Sequence, residues 1–233
     1  MAEPLLIAIV GAESTGKTEL AQALAWRIEK HTGLACAAVA EHLRAWCDRE
    51  GRTPRPDEQA AIADAQREAI AAAARSHSVV VCDTTPLMTA VYSQLLFDDA
   101  ALIAPAIAWQ QGCAITLLTA LDLPWVADGH QRDGPQVQQP VDSLLRACLI
   151  DHGLPWALVG GSGAARVESA LDAVAPLLRA LPAPRRGLFT RLDERNAEPA
   201  ARPWFCENCD DAACEHLTRR LSGATRASPR RQD

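Results

Sequence analysis

Aromatic residues, lysines and long apolar runs are all scarce in this sequence. Aromatic side chains make up 4% of the 233 residues and hydrophobic residues 48%, so we expect a core of aliphatic side chains and alanine. No apolar run is long enough to cross a bilayer, and the first residues lack the pattern of a secretory signal. A net charge of −6 argues against a general nucleic-acid binder. We therefore expect a cytoplasmic protein without a membrane or nucleic-acid partner.

The eight cysteines are expected to be thiols or metal ligands, because disulfides are rare in the cytosol. Five of them are scattered among apolar neighbours and are predicted to be small buried hydrophobic residues. These five are Cys36, Cys47, Cys82, Cys113 and Cys148.

Lysine is used at only two of the 23 basic positions, Lys17 and Lys30. Lys17 lies in the segment GAESTGKT, which matches the phosphate-binding pattern G-x-x-x-x-G-K-[ST]. In such a loop the backbone N–H groups face the anion, the lysine reaches the β- and γ-phosphates, and the Thr18 hydroxyl coordinates Mg²⁺. The pattern predicts ATP and Mg²⁺ as ligands. The predicted nucleotide-binding residues of the loop are Gly11, Ala12, Glu13, Ser14, Thr15, Gly16, Lys17 and Thr18.

Apolar segments alternate with helical segments along the first three quarters of the chain. This alternation predicts a parallel sheet with right-handed crossovers, flanked by helices in a three-layer α/β fold of the P-loop kinase type. Ligands of such sheets bind beyond the carboxyl ends of the strands. Strands are predicted at 5–10, 35–40, 78–83, 114–119 and 156–159, and helices at 19–30, 57–75, 86–110 (one or two), 140–152 and 164–180.

The composition changes near residue 181 and divides the chain into three predicted parts. Residues 1–181 form the P-loop domain, and residues 182–203, rich in proline and arginine, form a linker. Residues 204–233 form a short, Cys-rich, largely irregular tail.

Two carboxylates follow predicted strands at the edge where the P-loop lies. Asp83 ends a buried strand and is predicted to hold Mg²⁺ or to accept the proton of an attacking hydroxyl, although an acid there could also cap the next helix. Glu41 follows the second strand and is predicted to bind an acceptor substrate or to act as its base. Arg44, one helical turn further on, is a candidate for holding a phosphate or a carboxylate. The alternative for Glu41 and Arg44 is an ordinary solvated pair at i, i+3.

Two loops complete the predicted site. The polar loop after the fourth strand contains Arg132, a candidate for stabilising transition-state charge from a closing segment, although it could be a surface arginine. Asp128 and Asp133 in the same loop are candidates for steering Mg²⁺ or the acceptor. The glycine-rich segment 160–163 suits a loop around adenine, with Arg166 stacking on the base.

Together these elements resemble the NadR-like P-loop kinases of the ribosylnicotinamide kinase type, over roughly residues 4–180. The resemblance implies ATP- and Mg²⁺-dependent phosphorylation of the 5′-hydroxyl of nicotinamide riboside, which gives nicotinamide mononucleotide. It also implies that Trp125 contacts the pyridine ring or packs against the closing loop. Thr85 stands where the family commonly has a second acid. The segments that carry the resemblance are GAESTGKT, Glu41-x-x-Arg44, Val-Cys-Asp83-Thr and the more specific Pro124–Gly129, PWVADG.

The tail contains three cysteines and a histidine within eleven positions, enough for a tetrahedral Zn²⁺ site that orders the segment. Such a site would be structural and would dock a protein partner or a second subunit. The alternatives are free thiols or a redox pair. The four candidate ligands are Cys206, Cys209, Cys214 and His216.

Three functions stay open from the sequence. The first is a kinase that phosphorylates a nucleoside, with nicotinamide riboside as the expected acceptor. The second is a regulatory P-loop ATPase whose tail recruits a partner, and the third is a nucleotide-binding protein without catalysis. A kinase should turn over only with an acceptor, a regulatory ATPase should hydrolyse ATP, and a binding protein should do neither.

Overall fold

A computed structural model describes residues 3–126 and 134–181, which all lie in one compact unit of the chain. The predicted linker and zinc tail, with Cys206, Cys209, Cys214 and His216, fall outside the described residues, as do Asp128, Arg132 and Asp133.

Five parallel strands form one sheet in the order β2-β3-β1-β4-β5, which confirms the predicted fold class. The first strand lies at the centre, and residues 7–10 within it have no exposed surface. Its continuous apolar sequence is explained by this position, because helices cover both faces of the sheet. The strands are β1 (Leu5–Val10), β2 (Cys36–Val39), β3 (Val79–Asp83), β4 (Ile115–Thr119) and β5 (Trp156–Val159).

Seven helices occur among the described residues. Residues 86–110 form two helices, because Asp98 adopts a left-handed conformation (φ 54°) that ends the first of them. None of the helices in residues 3–126 and 134–181 has the length and apolar character of a membrane span. The helices are α1 (Lys17–Thr32), α2 (His42–Glu50), α3 (Gln59–Ala74), α4 (Pro86–Phe97), α5 (Ile103–Gln110), α6 (Gln138–Asp151) and α7 (Gly163–Arg179).

The core has two layers, one on each face of the sheet. Helices α1 and α7 cover one face, where Leu24 and Leu171 pack against Ile7 and Ile9. Helices α4, α5 and α6 cover the other face around Leu118. Since both faces are covered, the loops at the carboxyl ends of the strands are where functional side chains can gather.

The five cysteines in the described part of the chain are buried and form no disulfide. Burial raises the pKa of the Cys36 and Cys113 thiols to about 12, so both are protonated at neutral pH. The burial of all five is as the sequence predicts, and Cys36, Cys82 and Cys148 belong to the apolar core.

Candidate active site

The segment Gly11–Thr18 (GAESTGKT), called the phosphate loop below, connects β1 to α1 and needs glycine at two positions. Gly11 has φ 152°, and a Cβ there would overlap the Thr119 hydroxyl at the end of β4. Gly16 is the N-cap of α1 with φ 73° and lies close to Leu123. Both residues adopt backbone conformations that other amino acids disfavour. The loop therefore turns sharply onto the N-terminus of a helix, where backbone N–H groups favour an anion.

Two side chains of the loop bond the same backbone carbonyl and so fix its shape. The Thr15 hydroxyl donates to the Ala12 carbonyl at 2.8 Å and lies 2.6 Å from the Thr119 hydroxyl. Nζ of Lys17 donates to the same Ala12 carbonyl at 2.8 Å. The ammonium of Lys17 is thereby held against the loop backbone.

Arg166, in the first turn of α7, hydrogen-bonds the backbone of the phosphate loop. It is 4% exposed, and its Nη1 and Nε donate at 2.7 Å to the carbonyls of Thr15 and Gly161. Its Nη2 pairs with Asp122, whose other carboxylate oxygen accepts from the Gly161 N–H at 2.6 Å. The guanidinium joins the phosphate loop, the segment after β4 and the glycine-rich segment after β5. The stacking of Arg166 on adenine stays a prediction.

We expect Arg166→Lys to weaken ATP binding about tenfold, because one ammonium cannot reach three groups on separate segments. A tenfold change in Kd corresponds to about 1.4 kcal/mol. Calorimetric titration with ATP and Mg²⁺ measures it, and Arg179→Lys, an exposed change on the same helix, is the matched control. An unchanged Kd in Arg166→Lys would show that the loop keeps its shape without the guanidinium.

The phosphate loop also contacts the chain on both sides of residues 127–133. The Ser14 hydroxyl donates to the Val126 carbonyl at 2.7 Å, and the Val126 N–H donates back to it at 2.9 Å. Nε2 of Gln138 donates to the Glu13 carbonyl at 2.7 Å. Two consecutive loop residues, Glu13 and Ser14, therefore hold the described chain on either side of residues 127–133.

Asp83 and Glu41 meet beside Lys17 at the carboxyl edge of the sheet. Asp83 is 3% exposed, and its burial raises its pKa, while a hydrogen bond from Thr18 and the charges of Lys17 and Arg44 lower it. Burial and the Asp83 charge raise the pKa of Glu41, opposed by Lys17, Arg44 and a hydrogen bond with Thr84. Both carboxyl groups have pKa values above their ordinary ones, as acids in functional clefts often have.

A cavity of about 350 Å³ opens next to these groups. Glu13, Ser14 and Lys17 of the phosphate loop form one wall, and Glu41 and Arg44 form another. The remaining walls come from α2, the turn before α3, α3 itself and α4. They consist mainly of apolar side chains with a few polar groups, namely Leu43, Cys47, Thr53, Pro54, Gln59, Met88, Thr89, Tyr92, Leu96 and Phe97.

The structure thus brings together the predicted residues Lys17, Glu41, Arg44 and Asp83. Trp125 is half-buried, its indole Nε1 has no hydrogen-bond partner within residues 3–126 and 134–181, and it does not contribute to the described cavity wall. The predicted roles of Asp128 and Arg132 fall on residues outside the described ranges.

Thr85, where the resembled family commonly has an acid, does not line the described cavity. Its hydroxyl donates to Oε1 of Gln110 at 2.8 Å, and Nε2 of Gln110 donates to the Thr116 hydroxyl at 2.8 Å. All three side chains are buried. A carboxylate at this position would lose the hydroxyl donor and leave Gln110 facing a negative charge.

The wall contributed by α4 was missed by sequence reasoning. Met88, Tyr92 and Leu96 recur every fourth residue, so they share one face of the helix. This spacing is equally typical of a helix packed into the core. The four-residue spacing indicates that the three side chains share a face of the helix. It does not show whether that face lines a cavity or packs into the core.

Comparisons with known proteins agree with this fold. A family model described as an AAA domain matches residues 6–166. A solved structure of NadR protein with NAD and AMP-PNP has a TM-score of 0.59 and 21% identity, covering 74% of this chain and 49% of that chain. NadR protein with NR gives a TM-score of 0.63 and 20% identity, covering 79% and 53%.

A smaller protein shares the same architecture. Thymidylate kinase from Ehrlichia chaffeensis matches with a TM-score of 0.54 and 15% identity over 76% of this chain and 100% of that chain. No match is found among curated proteins. This chain spans about half the length of the NadR chains. At these identities the likeness shows the fold, and the predicted P-loop kinase fold is confirmed.

Proposed function

The chain belongs to the AAA-domain family, and from this premise we propose that it is an ATP-dependent kinase that phosphorylates the 5′-hydroxyl of a nucleoside. The proposal rests on the cavity of about 350 Å³, whose walls include Lys17, Glu41 and Arg44. A phosphoryl donor on the loop and an acceptor in the cavity would lie side by side. A protein that only hydrolyses ATP needs no cavity for an acceptor beside its phosphate loop.

ATP and Mg²⁺ fit the donor half of the site. The loop offers a helix N-terminus and an ammonium for the phosphates, while Thr18 and Asp83 offer two neighbouring oxygen ligands of the kind that Mg²⁺ binds. Oδ1 of Asp83 is buried and has no hydrogen-bond partner among the described residues. Bound Mg²⁺ would neutralise charge on the transferred phosphoryl group. We assign Asp83 to the metal.

Glu41 is our candidate for the group that holds the acceptor hydroxyl. It lines the cavity, unlike Asp83, and its raised pKa brings it nearer to the range in which a carboxylate takes a proton efficiently. Arg44, one turn along α2, would fix a second polar group of the acceptor. Met88, Tyr92 and Phe97 would pack against a flat ring, so a nucleoside uses both the polar and the apolar walls.

We propose nicotinamide riboside as the acceptor, with nicotinamide mononucleotide as product in NAD salvage. The support is the resemblance in the predicted site segments and the fold shared with NadR, one structure of which contains NR. In this proposal Trp125 and Asp128 contact the acceptor, Arg132 stabilises the transferred phosphoryl group, and Arg166 contacts the adenine base besides positioning the loop. Zinc binding by the tail and docking of a partner there also stay proposals.

A mass-spectrometric assay with ATP, Mg²⁺ and a panel of nucleosides that includes nicotinamide riboside tests the function. We expect one nucleoside to gain the mass of a phosphate, at a rate well above ATP hydrolysis without an acceptor. Hydrolysis that no nucleoside accelerates would favour the regulatory ATPase. Binding of ATP without product or hydrolysis would favour the nucleotide-binding protein.

A further inference from the structure

Gln66, on the buried face of α3, makes three hydrogen bonds to backbone groups around the two site acids. It is 3% exposed. Its Oε1 accepts from the His42 N–H at 2.6 Å, and its Nε2 donates to the carbonyls of Ala40 and Thr84 at 3.3 and 3.4 Å. A backbone N–H needs an acceptor and a carbonyl needs a donor, so these partners fix the orientation of the amide.

The backbone groups that Gln66 bonds belong to residues next to the two acids in the sequence. Ala40 and His42 are the residues on either side of Glu41, which is the N-cap of α2. Thr84 directly follows Asp83 and has a left-handed backbone (φ 69°), which is unfavourable for a β-branched residue. Such a conformation persists only where the surroundings hold it, and functional sites are where this commonly occurs.

The amide also joins two segments at a point where the ladder between β2 and β3 has ended. The ladder between β2 and β3 ends at the pairing of Val39 with Cys82, before either acid is reached. Beyond this pairing, the hydrogen bonds of Gln66 join the chain around residue 41 to the chain after residue 83. The Gln66 amide therefore joins the two segments where the acids stand, and it acts together with the hydrogen bond between Glu41 and Thr84. The Thr84 N–H is held separately by the Ile9 carbonyl at 3.2 Å.

We propose that Gln66 is a positioning residue that sets the separation of Glu41 and Asp83 and so aligns the acceptor hydroxyl with the phosphoryl group. The inference rests on the proposed function, since it assumes that both acids act in phosphoryl transfer. Gln66 itself touches neither reactant. Misplacement of a reacting group by about 1 Å can cost about 100-fold in rate, so the loss of this amide should be visible in kcat.

The same chain supplies a matched control for the loss of a buried amide. Gln110 is 1% exposed, and its amide hydrogen-bonds the side chains of Thr85 and Thr116 and neither of the backbone segments that Gln66 joins. We expect Gln66→Met to lower kcat about 100-fold while the KM for ATP stays within about twofold, because the phosphate loop is untouched. Gln110→Met should lower the unfolding temperature similarly but keep kcat within about threefold. Equal losses of kcat in the two variants, or an unchanged kcat in Gln66→Met, would overturn the proposal.

Gln66→Glu covers the case in which Gln66→Met does not fold. A carboxylate accepts from the His42 N–H but has no donor for the carbonyls of Ala40 and Thr84. We expect at least a tenfold loss of kcat with the ATP KM again within about twofold. Wild-type kcat in this variant would show that the bonds to the two carbonyls do not align the acids.

Amide hydrogen exchange separates failure of this inference from failure of the proposed function. In the protein without substrates, Gln66→Met removes the acceptor of the His42 N–H and should speed exchange at this amide at least tenfold relative to Gln110→Met. Unchanged exchange at His42 in Gln66→Met would overturn the positioning role. A wild-type protein that phosphorylates no nucleoside would refute the proposed function, whatever the exchange rates show.

Discussion

Lys17→Ala is expected to lower phosphoryl transfer by about 10²–10³-fold, the loss that follows removal of one preorganised charge from a transition state. In a loop of this pattern the lysine is the cation that reaches the β- and γ-phosphates, and we propose this role for Lys17. Its ammonium lies 2.8 Å from the Ala12 carbonyl, on the side of the loop that faces the cavity. Initial rates of nucleoside phosphorylation with saturating ATP and Mg²⁺ measure the change.

The fold should survive this substitution. The hydrogen bond to Ala12 contributes about 1 kcal/mol, which corresponds to about 2–4 °C in the unfolding temperature of a domain of this size. Lys17→Arg should be as inactive as Lys17→Ala, because a planar guanidinium does not replace a slim point charge in the loop. The other lysine gives the control. Lys30 lies 4.3 Å from the Trp26 ring on the same helix, and Lys30→Ala should retain full activity. Full activity in Lys17→Ala would refute the assignment of the loop as the phosphate site.

Glu41→Gln is expected to lower kcat by about 10²–10⁴-fold, the usual contribution of a general base. The amide keeps the shape and the cap position of α2 but cannot take the acceptor proton. ATP binding should be unchanged, because the proposed nucleotide contacts come from the loop and α7. Steady-state rates with both substrates varied, together with calorimetric ATP binding, measure these effects.

Two comparisons make the Glu41 result specific. Glu50→Gln changes an exposed acid at the other end of α2 and should leave kcat unaltered. Asp83→Asn should instead raise the Mg²⁺ concentration needed for half-maximal rate, since we assign Asp83 to the metal. If Glu41→Gln retained its kcat while Asp83→Asn lost all transfer at saturating Mg²⁺, the base would be Asp83.

The sequence was sufficient for the fold and for the phosphate loop because both depend on local patterns. Apolar runs alternating with helical segments specify a parallel sheet, and glycines at positions 11 and 16 specify a turn onto a helix. The convergence of Lys17, Glu41 and Asp83 also follows from topology, because parallel strands end at one edge. The placement of these residues can be predicted without knowing how the side chains pack.

The rest of the site depends on packing, which the sequence does not express locally. A face of α4 bearing Met88 and Tyr92 has the same period whether it meets the core or a cavity. Gln66 is one of several glutamines on helices, and only the fold places its amide between the two acids. Arg166 lies near the predicted adenine loop, but its bond to the Thr15 carbonyl spans 151 positions. Contacts of such long separation are determined by the tertiary structure as a whole.

The position of β1 at the centre of the sheet has a consequence for synthesis on the ribosome. Its two neighbours, β3 and β4, begin at residues 79 and 115, so β1 is translated before both of its partners. The bond from Arg166 to the phosphate loop forms later still. We expect nascent chains to lack a finished nucleotide site until Arg166 has left the exit tunnel. ATP could then assist only the last stage of folding, after translation has passed α7.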